Sequence, residues 1–173
     1  MNSVKILFVC SGNTCRSPMA SALFRKRLER EFPEYLDVIE VDSAGIYTLE
    51  GLPASEEAIE VMARKEDLDL SEHRSKRIHT EMVEEADLIL AMTALHKDEL
   101  VARYPWAADK IFTLKEFAAG EDRQEGDIDA DVMDPFGLGL LAYEEAYAEL
   151  KEVIADIVKR LVDLLSKPNS GGT

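Results

Sequence analysis

A cysteine, an arginine and a serine stand close together near the start of the chain, in the segment CSGNTCRSP at residues 10–18. Cys10 follows the apolar run of residues 4–9, whose β-branched and aromatic side chains are typical of a buried parallel strand. Small polar residues then interrupt the strand. Ser17 and Pro18 predict the start of a helix, with Ser17 near the N-cap and Pro18 at the first helical position.

This order of strand, loop and helix predicts a site for a phosphorylated group. A loop that leads into a helix directs several backbone N–H groups at one point, and the helix dipole adds positive potential there. A thiol in such surroundings favours its nucleophilic thiolate form, which makes Cys10 a candidate nucleophile. Arg16 has a planar guanidinium that can bind two oxygens of a phosphate. We therefore predict a cysteine-dependent phosphatase loop; the simpler alternative is a buried strand-end cysteine and a surface arginine.

The segment also resembles the phosphate-binding loop of the low-molecular-weight protein tyrosine phosphatase family, which reads C-x-G-N-x-C-R-S-P. The family's general acid lies far downstream, in an Asp-Pro pair followed by an aromatic residue, and Asp134, Pro135 and Phe136 match it here. The two motifs stand in the family's order, and the resemblance extends over nearly the whole chain. It implies that Cys10, Arg16 and Asp134 are the catalytic residues.

The resemblance also implies roles for residues around the nucleophile. Substrate contacts are expected from the rest of the loop and from the aromatic residue after the acid: Ser11, Gly12, Asn13, Thr14, Cys15, Ser17 and Phe136. The loop is expected to be held in shape by a group of hydrogen-bonded residues: Asn13, Ser17, Ser43 and His73. Taken by itself, His73 is more simply interpreted as a histidine of a surface loop.

Two roles are open for the second sulfur, Cys15. The first is that of a small, buried apolar residue. The second, which the resemblance supports, is a reversible disulfide with Cys10 that protects the nucleophile from further oxidation and makes the enzyme redox-regulated. Both cysteines of the chain lie inside the loop, which is unlike the disulfide framework of a secreted protein.

Within the family, the sequence most resembles the bacterial protein arginine phosphatases. Their loop carries a threonine, which is Thr14 here, and their acid motif reads D-P-F-G, as at residues 134–137. The segments AMT at 91–93 and FTLKE at 112–116 also resemble that branch. The resemblance implies that the substrate is phosphoarginine in proteins.

Thr14 offers a physical reason for such a preference. A β-branched side chain is stiff at χ1, so Thr14 would narrow the pocket against a wide phosphoaryl ring. A phosphoguanidinium is slimmer, and its N–H groups need acceptors, which the Thr14 hydroxyl and the Asp134 carboxylate can supply. Gly137, in place of a second aromatic residue, removes a stacking wall for tyrosine. The alternative is an ordinary tyrosine phosphatase in which Thr14 is a neutral variant.

These residues predict covalent catalysis in two steps. The Cys10 thiolate attacks phosphorus, and Arg16 with the loop amides holds the equatorial oxygens. Asp134 protonates the leaving group and then acts as base on the water that hydrolyses the phosphocysteine. Ser17 can donate a hydrogen bond to the sulfur. We expect inorganic phosphate as the product and neither a cofactor nor a metal, although an Asp before a proline also occurs in ordinary turns.

Composition narrows the range of partners. The chain has 173 residues and a formal net charge of −15, which argues against binding to nucleic acid or to an anionic membrane. We find no secretory signal and no apolar run near the ~20 residues of a membrane span. We therefore expect a cytoplasmic, monomeric protein with phosphorylated proteins as partners. We find no internal repeat and no second domain in the sequence.

The apolar periodicity predicts a single α/β domain at residues 1–166 and a flexible tail at 167–173. Strands are predicted at 4–9, 37–43, 86–92 and 110–114, and helices at 17–32, 53–66, 80–85, 93–104 and 140–166. The resemblance implies a three-layer sandwich whose four-stranded parallel sheet has the order 2-1-3-4. Residues 120–132 are acidic and predict a flexible connection; their spacing matches no EF-hand loop.

Two other functions share the loop. An arsenate reductase of this fold would need further cysteines downstream, and none follows Cys15. A non-catalytic phosphate-binding module would be expected to have lost the nucleophile or the acid, whereas Cys10 and Asp134 are both present. A phosphatase is therefore the predicted function.

Overall fold

A four-stranded parallel sheet forms the centre of the protein in the computed structural model, which describes residues 3–121 and 129–168. Its strands are β1 (Val4–Cys10), β2 (Ile39–Gly45), β3 (Leu88–Ala91) and β4 (Ile111–Thr113). Their order is β2-β1-β3-β4, which confirms the predicted topology. β1 pairs with β2 along its whole length, so that Cys10 stands opposite Gly45 at the carboxyl end.

Helices cover both faces of the sheet. They are α1 (Arg16–Glu31), α2 (Glu56–Glu66), α3 (Thr80–Glu85), α4 (Ala94–Arg103), α5 (Leu114–Ala119) and α6 (Leu140–Ser166). Short 3-10 turns stand at Pro33–Tyr35 and Pro105–Lys110. The long last helix has the predicted bounds, because its apolar residues recur at helical spacing over its whole length.

Alternate residues of β1 face two separate hydrophobic cores. Ile6 and Phe8 pack into the larger core, which α1, α2, α5 and α6 cover. Leu7 and Val9 pack into the smaller core, beside Val83 of α3 and residues of α4. A strand that is buried on both faces is the expected centre of a parallel sheet, so the three-layer prediction is confirmed.

Two helix starts differ from the prediction. Cys15, not Ser17, occupies the N-cap of α1 and makes no capping hydrogen bond with its side chain. Ser17 is one residue inside the helix, completely buried, and its hydroxyl is engaged by the loop instead. α2 begins at Glu56 rather than at Pro53, because Ser55 caps it by accepting a hydrogen bond from the Ala58 amide.

The second strand also lies two residues later than predicted. The Val38 amide donates to the Tyr35 carbonyl, which keeps this segment in the preceding turn. Pairing with β1 then carries the strand on to Gly45. Residues 122–128 of the predicted acidic connection and residues 169–173 of the predicted tail lie outside the described residues, so both of those expectations stay predictions.

Candidate active site

The loop between β1 and α1 closes around the sulfur of Cys10. The Asn13 amide donates a hydrogen bond to the Cys10 Sγ at 3.3 Å, and the Ser17 Oγ lies 2.9 Å from the same sulfur. Since the Ser17 oxygen already accepts from the Asn13 side chain, its own proton is available to the sulfur. Two donors are therefore directed at the Cys10 sulfur.

Asn13 holds the loop through four further hydrogen bonds. Its Nδ2 donates to Ser17 Oγ at 2.8 Å and to Ser43 Oγ at 2.9 Å, and its Oδ1 accepts from the Lys76 amide at 2.9 Å. His73 Nε2 lies 2.7 Å from the Asn13 carbonyl oxygen. The four residues predicted to support the loop are therefore brought together, with His73 bonded to the backbone rather than to a side chain.

The backbone conformation explains why asparagine stands at this position. Asn13 has a φ of 55°, in the left-handed region that asparagine tolerates better than most residues. Burial lowers the pKa of His73, so its ring is neutral at pH 7 and can donate the Nε2 proton to the Asn13 carbonyl. The loop is thereby held at Asn13 through both the side chain and the backbone carbonyl of that residue.

Gly45, at the end of β2, allows the loop to approach the sheet edge. A Cβ atom there would lie 2.8 Å from the Ser11 carbonyl oxygen and 3.1 Å from the Asn13 Cβ. The glycine also donates its amide to Lys76 and accepts from Ile78. The close contact of Gly45 with the phosphate loop has no local sequence signal.

Arg16 links the loop to the segment that carries the predicted acid. Its side chain is 4% exposed; Nη1 donates to the Val132 carbonyl at 2.8 Å and Nη2 lies 3.5 Å from Asp134 Oδ2. The Val132 amide donates to Met92 at the end of β3, and Asp131 accepts from the Ala94 amide. Arg16 and the start of α4 thus dock this segment beside the loop.

Asp134 is the exposed partner in this arrangement. Its side chain is 53% exposed, and its Oδ1 accepts a hydrogen bond from the Phe136 amide at 3.1 Å. Phe136 itself is exposed at the mouth of the site. A carboxyl group that is fixed at its base and open to solvent is suited to meet a substrate bound in the loop.

The loop and the acid border one cavity of about 870 Å³. We call the side of the cavity that the loop lines its floor, and the remaining lining its walls. The floor residues are Cys10, Ser11, Gly12, Thr14, Cys15 and Arg16, and the wall residues include Tyr47, Thr48, Leu49, Leu52, Pro53, Asp134 and Phe136. Asn13 and Ser17, also predicted to contact the substrate, are completely buried and do not line the cavity. Their side chains support the loop from behind instead.

Tyr47 forms a wall that is held in place from α4. Its hydroxyl donates a hydrogen bond to Glu99, and the guanidinium of Arg103 lies 5.2 Å from the centre of its ring. Glu99 and Arg103 also form an ion pair at 2.7 Å. Because the ring is fixed at both its edge and its face, it can flank a side chain that enters the cavity.

Cys15 is a free, buried thiol. Its Sγ lies 3.0 Å from the Tyr143 hydroxyl and 3.5 Å from Ser55 Oγ. Burial and this hydrogen bond raise the pKa of Tyr143, so the phenol is protonated and can donate to the sulfur. Tyr143 belongs to α6, and its contact with Cys15 joins that helix to the loop.

Comparison with known proteins identifies the family. The family model of the low molecular weight phosphotyrosine protein phosphatases matches residues 5–167. The chain belongs to this family, as the loop and the acid motif predicted. In the part of the chain that the structure describes, we find no helix with the length and apolarity needed to cross a bilayer.

Relatives carry two different activities in their names. The chain is 42% identical to a protein-arginine-phosphatase from Geobacillus stearothermophilus over 157 residues, covering 91% of this chain and 95% of that protein. It is 39% identical over 156 residues to a probable low molecular weight protein-tyrosine-phosphatase, EpsP of Ralstonia solanacearum, covering 90% and 94%. A solved structure of the YwlE arginine phosphatase, a mutant with a phosphorylated active-site serine, shares 38% identity with a TM-score of 0.80 and covers 92% of this chain and 96% of its own.

Proposed function

We propose that this protein is a protein arginine phosphatase that hydrolyses phosphoarginine in proteins through a phosphocysteine intermediate. The observation that carries the proposal is the position of Thr14, which lines the same cavity as Cys10 and Asp134. The Thr14 hydroxyl and the Asp134 carboxylate provide acceptors in this cavity for the N–H groups of a phosphoguanidinium. The names of the arginine phosphatases among the relatives support the same substrate.

Cys10 acts as the nucleophile in the proposed mechanism. Its thiolate attacks phosphorus while the guanidino nitrogen departs on the opposite side, so that a P–S bond forms as the P–N bond breaks. Arg16 and the loop amides stabilise the charge on the equatorial oxygens. The phosphorylated active-site serine in the YwlE mutant supports transfer of the phosphoryl group to the enzyme.

Asp134 acts as general acid and then as general base. It gives its proton to the departing guanidino nitrogen, so that the phosphoguanidinium leaves as the guanidinium of an arginine side chain. The resulting carboxylate removes a proton from the water that attacks the phosphocysteine. Phosphate is released, and the hydrogen bond from Ser17 stabilises the departing Cys10 thiolate.

A tyrosine phosphatase is the second candidate. Tyr47 and Phe136, both exposed on the cavity walls, can flank a phosphoaryl ring. The tyrosine phosphatase from Ralstonia solanacearum is as similar to this chain as the arginine phosphatase from Bacillus subtilis, at 39% identity each. The 42% identity to the arginine phosphatase from Geobacillus stearothermophilus favours phosphoarginine by a narrow margin, and the residues of the cavity floor bear on the choice more directly.

Competition between the two substrates tests the proposal. We expect kcat/KM to be higher for a phosphoarginine peptide than for a matched phosphotyrosine peptide, and Thr14→Ile to reverse or abolish this preference. Thr48→Ile is the matched control, because it adds the same bulk to the cavity wall rather than to its floor. If the wild type prefers phosphotyrosine and Thr14→Ile changes nothing, the arginine assignment fails.

Three further expectations belong to this proposal. Released inorganic phosphate, measured against remaining phosphopeptide, checks the product and distinguishes an enzyme from a phosphate-binding module. A monomeric state is checked by light scattering. The cytoplasmic location rests on the two free thiols of the loop, which a reducing compartment preserves.

A further inference from the structure

We propose that His96 is a positioning residue for the phosphate-binding loop, acting through the hydroxyl of Ser11. This inference rests on the proposed function, since it concerns the same cradle for the phosphoryl group. His96 was not indicated by the sequence, where it stands in the first turn of α4, 85 residues after Ser11.

Ser11 is held at two points. Its Oγ lies 2.7 Å from His96 Nε2, and its carbonyl oxygen accepts a hydrogen bond from the Tyr47 amide at 2.9 Å. The Ser11 carbonyl and the Gly12 N–H belong to one planar trans peptide and point in opposite directions. Fixing the side chain and the carbonyl of Ser11 therefore fixes the direction of the Gly12 N–H on the cavity floor.

His96 is itself rigidly placed. Its ring is 8% exposed, and its backbone amide donates to Thr93 Oγ1, which caps α4. Its second ring nitrogen, Nδ1, is buried and has no hydrogen-bond partner among residues 3–121 and 129–168. A buried polar atom without a partner destabilises a fold, so an apolar residue would serve packing better at this position. The one hydrogen bond of the ring goes to the phosphate loop.

The charges around His96 favour a neutral ring. Burial and the nearby Arg16 lower its pKa to about 4, against the opposing effects of Asp134 and Asp131 from the acid segment and Glu99 from α4. The imidazole therefore carries no charge at pH 7 and does not compete with Arg16 for the phosphate. His96 therefore contributes to the site by orienting Ser11 and not by carrying a charge.

The first turn of α4 consequently aligns both halves of the site. His96 fixes the floor through Ser11, while the Ala94 amide holds Asp131 of the segment that leads to Asp134. One rigid element thus sets the position of the acid relative to the loop. We expect loss of the His96 contact to weaken phosphate binding more than it slows the chemical step.

A double-mutant cycle with His96→Ala and Ser11→Ala tests the proposal. The measured quantities are the KM for p-nitrophenyl phosphate, kcat, and the inhibition constant of inorganic phosphate. We expect each single variant to raise KM and the inhibition constant by about 3- to 10-fold, the size of one neutral hydrogen bond. The double variant should equal the single variants, because both remove the same contact. His96→Gln keeps a polar group that can bond to Ser11 Oγ near the Nε2 position, and it should recover most of the affinity.

His79→Ala is the matched control, since the His79 side chain is exposed and its ring pairs with Glu81, away from the loop. It should leave all three quantities unchanged. The proposal is overturned if His96→Ala binds phosphate like the wild type, if the effects of the two substitutions multiply, or if the folded His96→Gln variant is as impaired as His96→Ala. Titration of inorganic phosphate by calorimetry compares phosphate affinity between the variants without any turnover. A failure of the arginine phosphatase assignment can therefore be told apart from a failure of the proposed role of His96.

Discussion

The guanidinium of Arg16 lies 3.5 Å from the carboxylate of Asp134, although the two residues are far apart in the sequence. The other guanidinium nitrogen is bound to the Val132 carbonyl at 2.8 Å. Arg16 is buried and Asp134 is half exposed, so the pair gains little stability from its charge interaction. The contact instead brings the acid to the loop while leaving its carboxyl group accessible to a substrate.

Asp134→Asn is expected to lower kcat/KM, which reports the first step, for a phosphoarginine peptide by about 100- to 1000-fold, because it removes the proton donor but keeps the size of the side chain. p-Nitrophenyl phosphate, whose leaving group needs no proton, should be affected much less. Asp163→Asn on the exposed face of α6 is the control. Equal losses with both substrates would show that Asp134 is not the general acid.

Gly45→Ala is expected to reduce activity and stability together. The added methyl group would come within 2.8 Å of the Ser11 carbonyl, which displaces the phosphate loop. We expect a loss of about 1–3 kcal/mol in the free energy of unfolding, the usual effect of overpacking, with at least a tenfold lower kcat/KM. Gly120→Ala changes a glycine that also has a positive φ but lies away from the site. It should lower stability and leave activity unchanged. Wild-type activity in Gly45→Ala would contradict this.

Asn13→Gly and Asn13→Ala separate the backbone strain of the loop from its hydrogen bonds. Both variants lose the contacts with Ser17, Ser43 and the Lys76 amide. Only Asn13→Ala also places a Cβ atom on a left-handed backbone that disfavours it, which lowers the free energy of unfolding by about 1–2 kcal/mol. Chemical denaturation should therefore rank the wild type above Asn13→Gly and Asn13→Gly above Asn13→Ala, while kcat falls in both. The reverse order of the two variants would exclude strain as a factor.

Glu66 is expected to make stability depend on pH. Burial opposes its charge, but hydrogen bonds from Lys151, Tyr147 and Lys26 lower its pKa from 4.5 to about 2. Since the folded state binds the proton less tightly than the unfolded chain, this stabilisation is present above pH 4.5 and is lost as the pH falls toward 2.

Glu66→Gln tests this link between α1, α2 and α6. We expect it to lower the free energy of unfolding at pH 7 by about 1–3 kcal/mol and to flatten the loss of stability between pH 4.5 and 2. Glu60→Gln, an exposed change in the same helix, should cost less than about 0.5 kcal/mol. An unchanged pH profile in Glu66→Gln would refute the assignment.

Cys15→Ser is expected to abolish recovery from oxidation. Hydrogen peroxide converts the Cys10 thiolate to a sulfenic acid, and the Cys15 thiol then displaces water to form a disulfide that dithiothreitol reduces. Without Cys15 the sulfenic acid is oxidised further, and reductant restores less activity. The measurement is phosphatase activity before peroxide, after peroxide and after dithiothreitol. Equal recovery in the variant would leave Cys15 with only the packing role seen beside Tyr143.

The sequence alone determined the features that depend on neighbouring residues. The apolar run before Cys10, the short polar loop and the spacing to Arg16 identified the phosphate loop, and helical periodicity gave the bounds of α6. The order of the strands and the choice of Asp134 as the general acid were predicted from the family resemblance. Local pattern was misleading at Ser17, whose type and place suggest a cap, because the deeper contact with Cys10 depends on a loop shape that no short segment encodes.

Only the tertiary structure decided which distant residues complete the site. His96 meets Ser11 across 85 residues, and Arg16 meets Val132 across 116. The closeness of Gly45 to the loop follows from the pairing of β1 with β2. Such contacts have no periodicity and no fixed spacing, because they arise where the carboxyl ends of parallel strands converge and each side chain must fit the space left by the others.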